Sequence, residues 1–170
     1  MAEAFNSKVL PGAKAARYAE VAQEIAAVLE GEANLAARLA TVAAMLAQSF
    51  DHFFWTGFYL VDPENPAELV VGPYQGTLGC LRIRIGQGVC GKAAQTRQTL
   101  VVPDVEAFPG HIACDSRSRS EIVVPVIGAG GRLLGVLDVD AITLAAFDDT
   151  DAGWLERILA AAFGDNASLT

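Results

Sequence analysis

Cys114 sits in the segment Gly110-His111-Ile112-Ala113-Cys114-Asp115, and Ser116-Arg117-Ser118-Arg119-Ser120-Glu121 follows at once. That setting is polar and turn-prone, unlike the apolar runs that normally bury a cysteine. Nearby cations favour the thiolate and an open loop lets a substrate reach it, so Cys114 has the surroundings of a nucleophile. Cys80 and Cys90 lie upstream between Gly76 and Gly91, a stretch holding five glycines. Three cysteines is an odd number. It argues against a permanent disulfide framework and for a reducing compartment, where thiol redox chemistry or catalysis stays open. Burial as a small hydrophobe is the commonest fate of a lone cysteine. For Cys90, between Val89 and Gly91 at a helix start, that reading and the functional one both stand. For Cys114 the polar neighbours favour chemistry. Zinc on His111, Cys114, Cys80 and Cys90 is a weaker alternative, since Cys80 and Cys90 lie too far apart for the C-x2-4-C knuckle that structural zinc sites favour.

The carboxylates form a second group. Asp138 and Asp140 alternate with Leu137 and Val139, so both project from one face of a strand. On spacing alone that is the solvent face of an antiparallel sheet. Glu121 enters the preceding strand, and a hairpin through Gly128-Ala129-Gly130-Gly131 brings it near Asp138 or Asp140. Crowded acids do not all ionise cheaply, so one keeps its proton. Such a cluster donates a proton or binds an ammonium group. Trp55 and Tyr59 also share a strand face, as aromatic core by default or as the wall of a pocket for a small apolar group.

The elements that must position these residues follow from periodicity. Lys14 to Glu30 is alanine-rich with Tyr18, Val21, Ile25, Val28 and Leu29 at helical spacing, and Gly31 ends it. Asn34 caps or opens a second helix reaching about Ser49, with Leu35, Leu39, Val42 and Leu46 as its stripe. Phe53 to Asp62 reads as a strand ending at the turn Asp62-Pro63-Glu64-Asn65-Pro66, with Glu68 to Tyr74 as its hairpin partner. Gly76 to Gly91 reads as loop, leading into a short helix from Val89 to Thr96. Leu100 to Val102, Ile122 to Ile127 and Leu133 to Ile142 are strands, with Pro103 to Arg119 irregular between them. Asp148 caps a last helix running to about Phe163. A loop of about 15 residues is unusual in a small domain without a functional reason, and Cys114 lies in one. The order predicts an α+β layered domain, a mainly antiparallel sheet with helices on one face.

At 170 residues the chain is long enough for one domain, 1–170, with a proper core. Its apolar fraction of 52% fits a globular protein. The net charge of -8 argues against nucleic acid or an anionic membrane as partner, since both call for a basic face. No apolar run is long enough to span a bilayer. Met1-Ala2-Glu3-Ala4-Phe5-Asn6 carries an early acid and no basic region before an apolar stretch, so no secretion signal is read and a cytoplasmic location is expected.

Five ordered motifs resemble one known family. Trp55-Thr56-Gly57-Phe58-Tyr59, Val71-Gly72-Pro73-Tyr74-Gln75-Gly76, Ile85-Gly86-Gln87-Gly88-Val89-Cys90-Gly91, Phe108-Pro109-Gly110-His111-Ile112-Ala113-Cys114-Asp115 and Ser120-Glu121-Ile122-Val123-Val124-Pro125 are similar to those of the free methionine-R-sulfoxide reductases, which are stand-alone GAF domains. The resemblance covers nearly the whole chain and includes all three cysteines. It implies a GAF-like fold, a central antiparallel sheet of about six strands flanked by helices. It implies Cys114 as catalytic cysteine, Cys80 as the main resolving cysteine and Cys90 as a further redox-active one. Glu121, Asp138 and Asp140 would hold the substrate and its sulfoxide oxygen, and Trp55 and Tyr59 would border the methyl group. Thioredoxin would reset the disulfide, with no metal or organic cofactor, and a homodimer paired through helices is compatible with it. A ligand-sensing GAF module without catalysis and a thiol peroxide sensor would share the fold, which does not fix function.

Overall fold

Residues 11–164 are described in the computed structural model; the N-terminal stretch read against a secretion signal lies outside them. Helix α1 spans Pro11–Leu29, starting earlier than its periodicity indicated. Tyr18, Val21, Ile25 and Leu29 form its buried stripe, but Val28 is exposed because it falls beside that stripe on the 3.6-residue period. Helix α2 spans Leu35–Ser49, and the Asn34 side chain accepts a hydrogen bond from the Ala37 N–H at 2.9 Å, as an N-cap should. Leu39, Val42 and Leu46 are buried as expected, whereas Leu35, in the first turn, is exposed. Arg38 takes a buried place instead. Its guanidinium donates to the carbonyls of Leu29 at the end of α1, of Glu32 just after it and of Ala162 in the last helix, supplying partners for helix ends that would otherwise lack them.

The strands are β1 Trp55–Val61, β2 Glu68–Gln75, β3 Arg82–Arg84, β4 Leu100–Val102, β5 Ser120–Ile127 and β6 Leu133–Ala141. They form one sheet in the order β3-β2-β1-β6-β5-β4, with every neighbouring pair antiparallel. The β1–β2 turn is held by Asp62, whose carboxylate accepts from the Glu64 N–H at 3.0 Å and from Arg82 at 2.6 Å. Strand β3 lies where the sequence read as loop. It is three residues long, buries only Ile83, and turns two arginines outward at the sheet edge, so it carries little strand signal.

Two further helices complete the chain, α3 Gly88–Thr96 and α4 Asp149–Phe163. Asp148 caps α4 with a full capping box shared with Asp151. The sheet divides the core. Helices α1, α2 and α4 cover one face over Phe58, Ile122, Val124, Leu137 and Val139. The expectation that all helices share one face is corrected here: α3 packs on the opposite face, where Val89, Ala93 and Ala94 meet Leu69, Ile83 and Val136. The result is the expected α+β fold with a six-stranded antiparallel sheet between helices. Among the described residues no helix is long and apolar enough to cross a membrane.

Candidate active site

The α3 face of the sheet gathers the residues singled out for chemistry. Trp55 pairs with Asp140 across β1 and β6, Gly57 with Asp138, and Glu121 with Asp140 across β5 and β6. Alternation then puts Trp55, Tyr59, Glu121, Asp138 and Asp140 on one side. That side is not the solvent face that the spacing of Asp138 and Asp140 favoured. Glu121 and Asp138 are each only 5% exposed, because α3 and the long loops cover them. Gly57 matters to this arrangement. It stands opposite Asp138 between Trp55 and Tyr59, and a Cβ there would run into Tyr74 and come within 2.8 Å of the Trp55 ring. Three stacked rings make the wall beside it, with Trp55 centred 5.6 Å from Tyr59 and 5.1 Å from Tyr74.

Cys80 and Cys114 are joined by a disulfide, with their Cα atoms 5.4 Å apart and a sequence separation of 34. The two loops that carry them are also laced by polar contacts. Trp55 donates its indole N–H to the Thr77 carbonyl at 2.8 Å, and the Cys80 backbone N–H hydrogen-bonds the Tyr59 hydroxyl. Thr77 donates to Asp115 at 2.8 Å, and Arg117 forks onto the same carboxylate at 3.0 and 2.8 Å while its guanidinium lies over the Phe54 ring. These donors, Arg117 first, hold the Asp115 carboxyl far below the usual carboxylate range. The loop charges therefore neutralise one another and fix Cys114, rather than all acting on its sulfur.

Behind the disulfide the pocket reaches the acids and Cys90. Trp55, Tyr59, Cys90, Cys114, Glu121 and Asp138 all line it. Its atom-free space, about 520 Å³, runs out into the solvent at its mouth. Burial pushes the Glu121 carboxyl up to about 8, with the Asp140 charge adding to it. Asp138 is pushed up by burial and then by Glu121, with which it shares a hydrogen bond. Asp140 is raised by burial and by Asp138, and takes a hydrogen bond from Ser118. The cluster therefore retains protons at neutral pH, as expected of crowded acids. One Asp138 oxygen, Oδ1, is buried without a hydrogen-bond partner among the described residues.

Cys90 is buried at the start of α3, with its thiol directed at Glu121 across 3.9 Å. Burial, then Asp138 and Glu121, push that thiol up and keep its proton on. Close approach makes room for it: a Cβ at Gly91 would collide with the Arg84 carbonyl. Cys90, Glu121 and Asp138 offer three possible metal-ligand atoms within 4.8 Å of one another. The zinc set considered from sequence is not assembled, since Cys80 and Cys114 are bonded to each other. His111 has a different place from either expectation. Its Nε2 lies 3.4 Å from Glu121 Oε2, while burial lowers its pKa and keeps the ring neutral. Sequence reasoning named His111 as a neighbour of Cys114 and as a zinc candidate, and missed its contact with Glu121, as it missed the contacts of Thr77 and Ser118. Loop residues carry no periodicity from which such contacts can be read.

Comparison with known proteins fits this geometry. The GAF domain family matches residues 18–164. The chain is 51% identical over 156 residues to GAF domain-containing protein A of Dictyostelium discoideum, covering 92% of this chain and 96% of that protein. It is 39% identical over 143 residues to the free methionine-R-sulfoxide reductase of Escherichia coli, covering 84% of each. A solved structure of free methionine-R-sulfoxide reductase from Neisseria meningitidis in complex with its substrate superposes with a TM-score of 0.83 at 50% identity, covering 88% of this chain and 87% of that one.

Proposed function

The chain belongs to the GAF domain family, in its free methionine-R-sulfoxide reductase branch, and from that premise we propose that it reduces free L-methionine (R)-S-oxide to methionine with its own thiols. One observation carries the reading: a disulfide between loop cysteines opens onto buried carboxyls that keep protons at neutral pH. A thiolate attacks sulfoxide sulfur readily only when the oxygen is protonated. In the reduced chain the Cys114 thiolate attacks that sulfur, and Glu121 delivers the proton to the oxygen. The oxygen passes to Cys114, giving a sulfenic acid and releasing methionine, whose sulfur has gained two electrons. The Cys80 thiol then attacks the sulfenic acid, an S–S bond forms, and water leaves. Thioredoxin, a low-potential dithiol, returns both cysteines to thiols.

Asp138 and Asp140 take the substrate ammonium in this reading. The unpartnered Asp138 Oδ1 supports it, because a buried acceptor gains most from a cation. A methionine sulfoxide within a polypeptide has no free ammonium, which explains selection of the free amino acid. Trp55 and Tyr59 border the methyl group. Cys90 is a reserve thiol: the acids around it oppose loss of its proton, so it serves after Cys80 rather than before it. The chain works as a single domain over residues 1–170 in the cytoplasm, and two copies pair through their helices.

Cys114→Ser should abolish reduction of the free sulfoxide. Cys80→Ser should release about one methionine per chain and then stall on the time scale of parent turnover, because the only thiol left for the sulfenic acid is Cys90, which holds its proton. Rapid-quench counting of methionine checks both. Multiple turnover by Cys114→Ser with thioredoxin would overturn the assignment. Thiol titration separates the enzyme from a sensor: two thiols are lost on adding methionine sulfoxide to the enzyme, none in a sensor.

A further inference from the structure

Seven large apolar side chains are exposed among the described residues, and their distribution is uneven. Leu78 and Leu81 are 78% and 72% exposed, and Ile112, Ile142 and Leu144 also face solvent; Val28 and Leu35, at the α1–α2 connection, are the other two. Strand β2 ends at Gln75, opposite Thr56 at the start of β1, and β6 ends at Ala141, opposite Ser120 at the start of β5. The loops bearing the first five residues therefore leave the same end of the sheet, where the disulfide lies. Single exposed leucines need no explanation, but a concentration of them marks a contact face. Leu78 and Leu81 bracket Cys80, and Ile112 lies two residues before Cys114. Leu78 and Ile112 both stand at the pocket. Leu81 does not line it, and its side chain serves neither core cluster.

We propose that this apolar end is the docking face for a protein dithiol reductant, with Leu81 an anchoring contact and the Cys114 sulfur the atom attacked. The proposal rests on the reductase reading. A closed Cys80–Cys114 bond has to be reopened by an external two-electron donor that reaches the sulfur. A small thiol reaches it without covering any apolar surface. A protein whose reactive thiolate sits in an apolar rim buries Leu81 and its neighbours as it does so. Cys114 is exposed while Cys80 is half-buried, with its N–H tied to Tyr59, so approach is open on the Cys114 side. The reductant thiolate attacks Cys114, the S–S bond breaks, and Cys80 leaves as a thiolate that takes up a proton. The second thiol of the reductant, losing its proton, attacks the mixed disulfide and frees the Cys114 thiolate. Two electrons have then passed from the reductant, now a disulfide, to the chain.

The test compares reductants on the full chain. In Leu81→Asp, turnover of saturating methionine sulfoxide with dithiothreitol should stay within about twofold of the parent. The kcat/KM for thioredoxin should fall about tenfold or more, the weight of one buried leucine replaced by a charge. An equal fall with both reductants means a structural defect, and no fall with either means that Leu81 is not a contact; both overturn the proposal. A trapping arm needs no sulfoxide, so it tests docking even if the reductase reading fails. Oxidised chain is mixed with a thioredoxin variant that keeps only its attacking cysteine, and the adduct is mapped by peptide mass. The adduct should lie on Cys114 and form more slowly on Leu81→Asp. An adduct on Cys80, or equal rates in parent and variant, overturns it. Failure of the reductase reading shows separately, as no sulfoxide turnover with either reductant.

Discussion

At the level of single residues, the proposed reaction ties chemistry to stability through Glu121. Its carboxyl is buried and raised from an ordinary 4.5 to about 8. The folded chain thus binds a proton that the unfolded chain has released between those two values. Stability contributed by the protonated form is complete below about 4.5 and is lost as pH rises through about 8. Glu121→Gln is neutral throughout. It is expected to melt at a higher temperature than the parent at pH 8, by on the order of 1–3 kcal/mol of stability, with the gap closing toward pH 4.5. The same variant should lose about 10²-fold or more in kcat, with the alkaline limb near pH 8 missing, because an amide does not supply the proton. Thermal melts and pH–rate profiles check the two halves. The acids themselves were legible from the alternation around Asp138 and from the glycine hairpin. Their burial was not, because the same alternation serves a wet sheet face, and only the position of α3 decides between them.

At the level of elements, β1 and β6 form the floor of the site, and Gly57 keeps that floor open. Its φ is unexceptional, so the constraint is space rather than backbone strain. Gly57→Ala should push Tyr74 and Trp55 apart, cost about 1–3 kcal/mol of stability, and raise KM for methionine sulfoxide more than it lowers kcat. Denaturant melts with steady-state kinetics report both. Long elements with strong periodicity were read correctly from sequence, as were the Asn34 and Asp148 caps. Short ones were not. Strand β3 offers a single buried side chain to the pattern, and the side of the sheet that α3 covers depends on the crossover and not on its own nine residues.

Across the whole molecule, α1 is fastened to α4 far from the pocket. Tyr18 donates its hydroxyl to the fully buried Asp151 at 2.7 Å, and Lys14 reaches the other oxygen of the same carboxylate at 2.5 Å. Asp151 also accepts from the Asp148 N–H at 2.8 Å to complete the capping box. One carboxylate thus satisfies a helix start, a phenol and an ammonium. Asp151→Ala should cost about 3 kcal/mol, combining a lost cap with polar groups left buried and unmet. Tyr18→Phe should cost about 1 kcal/mol. Melting of each variant checks the order, and sulfoxide KM should be unchanged in both at temperatures where the fold persists.

Trp55 stands against Gly79, the residue before Cys80, whereas the other tryptophan, Trp154, stacks on Tyr18 within the helical layer. A disulfide accepts an electron from an excited indole and darkens it; two separate thiols do so far less. Its ultraviolet emission is therefore expected to brighten as the sulfur bridge opens and to dim as it closes, with Trp154 as the steady background; emission recorded before and after reduction checks this.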